Sequence, residues 1–351
     1  MTTQDHAAPS SARATAGAGL FAAALVLLVA LAMALALTLG RYPIGLFDIG
    51  RLLLYGVGAG PRPDDFDILA NVVIEIRLPR VLSAALVGAA LSVSGAAYQA
   101  AFRNPLVSPD ILGVLSGAAF GAVAALMLGA GWLVMQIAGF CGGVAAALVG
   151  VGVASLFGEA SIIMLVLGGL VSGALFTALL TVLKYVADPY NQLPAIVYWL
   201  MGGLGAADLA QLRAAGPPIV AGLVALMALG RALDALSMGD DEARALGVPV
   251  ERLRLGVVAA ATLVSSLAVS LAGMIGWIGL FIPHLARLVV GPANARLVPA
   301  SAAFGAVFLI GADAVSRSAA AVEIPIGVLT ELLGIPAFIL ALSRARRSWA
   351  A

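Results

Sequence analysis

Runs of about 20 residues almost free of charge recur along this chain, and they settle its solvent before any motif is read. A helix needs roughly 20 apolar residues to cross the hydrocarbon layer, where every backbone N–H and C=O must find its partner inside the segment. Hydrophobic residues make up 62% of the 351 and charged residues only 11%. The chain therefore reads as an all-α polytopic membrane protein. Candidate spans fall at 17 to 39, 80 to 101, 111 to 129, 132 to 154, 161 to 186, 212 to 233, 254 to 272, 275 to 290, 297 to 317 and 326 to 343, about ten in all. The 41 glycines suit close packing in lipid, where small residues let backbones approach; Gly117 with Gly121, Gly139 with Gly142, and Gly168 with Gly169 are placed for it.

Charge sets the orientation. With the amino terminus in the cytoplasm, 11 of the 19 Lys and Arg residues fall on the cytoplasmic side, and Arg344, Arg346 and Arg347 anchor the carboxyl terminus there. Residues 1 to 16 read as a cytoplasmic polar tail. The apolar run from Gly19 to Leu39 is too long for the core of a signal peptide and stands as the first span. On the other side, Ile44 to Leu54 reads as a short interfacial helix, and Asp188 to Pro194 leads into Tyr198 and Trp199, which suit an aromatic belt. Arg77 and Arg80 flank Pro79 at the start of the second span, where the helix dipole disfavours cations. An acidic partner outside, or lipid phosphate, would satisfy them.

Between spans six and seven the pattern breaks. Ser237-Met-Gly-Asp-Asp-Glu-Ala-Arg-Ala-Leu-Gly-Val-Pro249 is a charged, soluble-looking interval. Asp240 stands at an N-cap position, Asp241 and Glu242 occupy the first turn, Arg244 follows, and Gly247 with Pro249 ends the helix. About two turns is far too short to cross a bilayer and marginal alone in water, so a partner must hold it.

Several function classes drop out. Lys184 is the only lysine, and no Gly-x-x-x-x-Gly-Lys-Ser/Thr occurs, so a nucleotide cannot bind here through a P-loop. A net charge of +1 speaks against a nucleic-acid partner. The single cysteine, Cys141, excludes an internal disulfide and reads as inert packing. His284 has no Cys, Asp or Glu at ligand spacing, so no metal site is assigned. No nucleophile with its base is present, which argues against an enzyme. An ion-coupled carrier would be expected to show paired acids or broken helices at mid-membrane, and the deep spans look almost devoid of ionisable groups.

Three segments together carry a resemblance. Arg77-Leu-Pro-Arg-Val continues through Ser94-Gly-Ala-Ala-Tyr-Gln99 to Asn104-Pro-Leu-Val-Ser-Pro-Asp-Ile-Leu-Gly113. Glu242-Ala-Arg-Ala-Leu-Gly-Val248 is the second. The third is Gly273-Met-Ile-Gly-Trp-Ile-Gly-Leu-Phe-Ile-Pro-His-Leu-Ala-Arg287, with Ala312-Asp313 and Ile324-Pro-Ile-Gly-Val-Leu-Thr330 beyond it. In order and spacing they resemble the FecCD/BtuC-like permeases, the transmembrane subunits of type II ABC importers for iron-siderophore, haem or vitamin B12.

The resemblance implies a single permease domain over 17–351, built on that family's ten-helix fold and set in a bacterial inner membrane. It implies two copies of this chain, separate ABC ATPase subunits that hold ATP and Mg, and a periplasmic substrate-binding protein. No cofactor is implied on this chain itself. The segment Asp240, Asp241, Glu242, Ala243, Arg244, Ala245, Leu246, Gly247 and Val248 resembles the coupling helix, with Asp240, Glu242 and Arg244 as its polar contacts. Arg77, Arg80 and Arg317 resemble the arginines that meet acids of the binding protein, which favours docking over lipid contact. Ser172, Thr177 and Thr181 sit on a span that lines the path in the family, or bond their own backbone. Glu331 departs from the small residue common there, and Arg317 and Lys184 are its candidate partners. The halves beginning near Arg80 and Arg254, four spans each and oppositely directed, suit an inverted repeat. Iron chelates rank ahead as cargo, with cobalamin, another metal chelate or an oxyanion as the alternative within the family, and an ion-coupled secondary transporter behind them.

Overall fold

The computed structural model describes residues 11–110, 112–156, 162–320 and 322–349. Much of the expected polar tail, residues 1 to 10, lies outside them, as do the side chains of Arg344 to Arg347. Among the described residues the regular structure is entirely helical, as a chain that must satisfy its backbone in lipid requires. In chain order the helices are α1 (Ser11–Thr38), α2 (Leu46–Gly56), α3 (Phe66–Ala70), a π-helical stretch (Asn71–Arg77), α4 (Leu78–Ala101), α5 (Val114–Met127), α6 (Trp132–Ser155), α7 (Ile162–Val186) and α8 (Gln192–Leu200). They continue as α9 (Leu209–Ala228), α10 (Gly230–Met238), α11 (Asp240–Ala245), α12 (Val250–Ala272), α13 (Ile278–Val290), α14 (Asn294–Ser318) and α15 (Ile326–Trp349).

Seven helices are long and apolar enough to cross a membrane, and the shorter apolar helices α5, α13 and the Ile326–Leu340 part of α15 add three. All ten coincide with the spans expected from hydropathy. The second does not start at 80, however. Helix runs unbroken from Phe66 to Ala101, so Pro79, Arg77 and Arg80 lie inside it rather than at its N-terminus. The π turn explains why the proline is tolerated: the wider ring re-aims the carbonyls that a proline would otherwise strike in a regular helix.

α4 is the axis of the fold, packed between α14, α12 and α13. Backbones meet where side chains vanish. A Cβ on Gly88 would collide with the Gly305 carbonyl on α14, and one on Gly95 with the Gly279 carbonyl on α13. The repeat shows in lengths: α4 to α7 have 24, 14, 24 and 25 residues, and α12 to α15 have 23, 13, 25 and 24. Cys141, expected to pack inside, is exposed on α6.

Candidate functional site

Three places gather the chemistry, and the first is α11. Its N-cap is Gly239, not Asp240, which is already the first helical residue. The stop is as expected: Gly247 adopts φ 79, its N–H donates to the Arg244 carbonyl, and the Val248 N–H donates to the Ala243 carbonyl. This paired closure needs a left-handed residue, which glycine supplies without steric cost. Ala243 is fully buried, while Met238 at 64% and Leu246 at 63% exposure leave an apolar pair beside Asp241, Glu242 and Arg244. Arg244 pairs with Asp241 at 3.1 Å and with Glu251 at 2.6 Å.

Asp240 is a correction. Expected to reach outward to a partner, it is turned inward. Its Oδ1 accepts from Arg254 Nη2 at 2.6 Å and stands 3.5 Å from Arg103 Nη2. The hydrogen bond from Arg254 holds the Asp240 carboxyl below the usual carboxylate range. Arg254 is itself buried and donates through Nε to the Ala101 carbonyl at 3.1 Å, one of the end groups that α4 cannot satisfy internally.

The opposite end of α4 holds the three arginines expected to dock, and all three are buried. Arg80 Nε donates to Asp313 Oδ1 at 2.6 Å, and its fork meets Glu323 at 3.1 and 2.9 Å. Arg317 Nε lies 2.9 Å from Asp313 Oδ2, an ion pair whose angle falls short of a hydrogen bond, and its Nη1 donates to the Leu39 carbonyl at 3.0 Å. Arg77 donates to the carbonyls of Leu37, Thr38 and Tyr42. In this state they tie α1, α4 and α14 together instead of presenting free cations. Burying a guanidinium without partners is costly, so the internal acids and carbonyls hold them.

The third place is a cavity of about 160 Å³ bordered by Asp110, Leu115, Met274, Trp277 and Glu331, with the α8 end at Met201 closing one side. It exists because two spans begin inside the bundle. Gly279, near the start of α13, meets Gly95 of α4, and Gly113, just before α5, meets Gly169 and Gly173 of α7. The buried residues 107–109, 112 and 113 and the segment 273–277 therefore lie between helices, where irregular backbone is tolerated because protein or a cavity surrounds it. Trp277 adopts φ 70, a strained conformation for a bulky residue. Asp110 lies within electrostatic reach of Glu331, and both are exposed to the opening. Glu331 thus faces another acid and not Arg317, whose partner is Asp313. Helices that begin inside the bundle, and two acids on one cavity wall, are present against the expectation from sequence.

The hydroxyl stripe does not hold together. Ser172 is buried and donates to the Ala146 carbonyl on α6. Thr181 donates to the Thr177 carbonyl of its own helix, and the exposed Thr177 donates to Ser116 at 3.2 Å. His284 bonds the Leu280 carbonyl at 3.0 Å and packs edge-on to Phe338. Among the described residues no three His, Cys, Asp or Glu side chains converge as metal ligands would. Sequence reading gave no role to Arg254, Asp313 or Glu323. The available signal was an arginine in the first turns of a long apolar run, a costly placement that demands a partner.

Ten spans in two matching halves, two of them begun inside the bundle, with a capped polar helix at one end, define a transporter permease. Residues 23–344 match the FecCD transport family, and the chain belongs to it. It is 36% identical to the molybdate import permease MolB of Haemophilus influenzae over 86% of this chain and 88% of that one. It is 41% identical to the cobalamin import permease BtuC of Halobacterium salinarum over 77% and 73%. A solved structure described as an inward-facing metal-chelate type ABC transporter superposes with TM-score 0.81 at 34% identity, covering 92% of this chain and 98% of that one. The chain is the permease subunit of an ABC importer, a class whose ATPase site lies on a separate subunit.

Proposed function

We propose that this permease moves an iron chelate, a ferric siderophore or haem, across a bacterial inner membrane after delivery by a periplasmic binding protein. Two copies form the path, each resting on one ATPase subunit, and both termini are cytoplasmic. The observation that carries the reading is the exposed face of α11. Met238 and Leu246, which flank α11, are exposed beside Asp241, Glu242 and Arg244, and a helix this short needs a partner to complete it. That face fits a groove on an ATPase.

The cavity bears on the cargo. Asp110 and Glu331 put two acidic side chains on its wall, a source of negative potential toward an anion. An oxyanion such as molybdate would meet repulsion there, so the wall weighs against a small, multiply charged anion as cargo. Cobalamin is the second reading, supported by relatives named for vitamin B12 at 41% and 42% identity.

The test is capture followed by uptake. A tagged chain should recover an ATPase subunit, and Leu246→Asp should abolish uptake; wild-type uptake in that variant would sink the assignment of α11. Proteoliposomes holding the full complex, offered haem, a ferric siderophore, cobalamin and molybdate in turn, should take up a chelate and refuse molybdate. Preferred uptake of molybdate would overturn the cargo class.

A further inference from the structure

We infer that Arg254 is the pin through which movement of α11 reaches α4 and the cavity wall beyond it. The inference rests on the proposed docking of α11 against an ATPase.

α11 is tied to the body of the protein in four ways, one of them the looser contact of Asp240 with the partly exposed Arg103 at 3.5 Å. Ala243 packs beneath it, an apolar contact that resists separation but carries little direction. Arg244 pairs with Glu251 of α12, but both are at least half exposed, where such pairs are weak and screened. The last tie is different in kind. Arg254 Nη2 donates to Asp240 Oδ1 at 2.6 Å, and Nε of the same guanidinium donates to the Ala101 carbonyl at 3.1 Å. One rigid planar group on α12 thereby holds the first residue of α11 and the last residue of α4. Its charge also sits at the negative end of the α4 dipole.

Displacement of Asp240 must either break this short charge-assisted bond or carry the guanidinium with it. If the guanidinium follows, the α4 end follows. Phe102 comes next, and the segment after it returns into the bundle to place Asp110 on the cavity wall. Arg80 closes the other end of α4 on Asp313 and Glu323, so the axial helix is pinned by a buried arginine at each end. Each arginine opens one of the two matching halves. Arg254 is a positioning residue here, since it touches neither cargo nor nucleotide.

The experiment uses the full complex in proteoliposomes, in a Cys141→Ser background with Asp110→Cys as reporter. Thiol labelling of that cysteine is compared without nucleotide and after trapping with ATP and vanadate. The labelling rate should change on trapping with Arg254 and Asp240 intact. In Arg254→Gln and Asp240→Asn the change should shrink about fivefold or more, the lower range of ordinary coupling, while ATPase capture and vanadate trapping persist. Arg254→Lys, which reaches one acceptor but not both, should fall between. An undiminished change in both single variants, or no change with the pin intact, overturns the pin. Should Arg254→Gln fail to accumulate, Arg254→Lys decides, because it leaves the contact of Asp240 with Arg103 in place while Asp240→Asn removes both. Failure to recover any ATPase with the unsubstituted chain defeats the docking reading itself, a separate result.

Discussion

Arg80 Nε stands 2.6 Å from Asp313 Oδ1 with both side chains buried, and Asp313 also faces Arg317 at 2.9 Å. One carboxylate is shared by two guanidinium groups near one end of the α4–α14 contact, and Glu323 supplies the second negative charge. Removing it leaves two buried cations, and breaking a buried pair from one side costs about 3–5 kcal/mol. Asp313→Asn should therefore lower thermal stability in detergent sharply. Glu323→Gln, at a partly exposed partner of the same arginine, should cost no more than about 1 kcal/mol.

The α4 axis depends on glycine for a different reason. Gly95 lies against the Gly279 backbone, so Gly95→Ala must push α13 away or distort it, with overpacking of about 1–3 kcal/mol or more. A Cβ on Gly256 meets nothing within 4 Å. Gly256→Ala should leave the unfolding midpoint unchanged or slightly raised, which makes it the control for the same chemistry at an open site.

Protonation gives a third handle. The Asp240 carboxyl is held below its ordinary value of about 3.9 by Arg254, so its stabilising contribution is complete above that value and fades as pH falls through the lower folded-state value. The stability gap between the natural chain and Asp240→Asn should be constant from about pH 5 to 8 and close in stronger acid. Unfolding midpoints measured across that range in detergent check it. A gap that widened as pH fell would mean that Asp240 is not held as its carboxylate.

Sequence showed the spans because lipid imposes one length and one composition on every crossing helix. It showed Gly247 because a left-handed stop after a short polar helix leaves a local mark. It could not show where Arg77 and Arg80 point, because their acceptors are far away in the chain: Leu37 and Tyr42 for the first, Asp313 and Glu323 for the second; the Asp313–Arg317 pair, four residues apart on one helix, was within reach of helix spacing. Asp240 was misread for a related reason. Its position in the first turn suited a capping role, but Arg254 lies one helix further on, and a charged hydrogen bond at 2.6 Å outweighs the local preference. The pairing of Asp110 with Glu331 was hidden because it needs two segments, more than 200 residues apart in sequence, to turn back into one cavity.

That last pairing yields a prediction about cargo. On the proposed reading that cargo passes this cavity, Asp110 and Glu331 set like charge against an anion. Replacing both with their amides keeps size and hydrogen bonding while removing the charge. Asp110→Asn with Glu331→Gln should therefore raise uptake of anionic chelates relative to a neutral one such as cobalamin, in reconstituted complexes supplied with each at equal concentration. The ratio is the informative quantity, because general damage to the permease lowers both rates together. An unchanged ratio in a double variant that still transports would show that the two acids do not face the moving cargo.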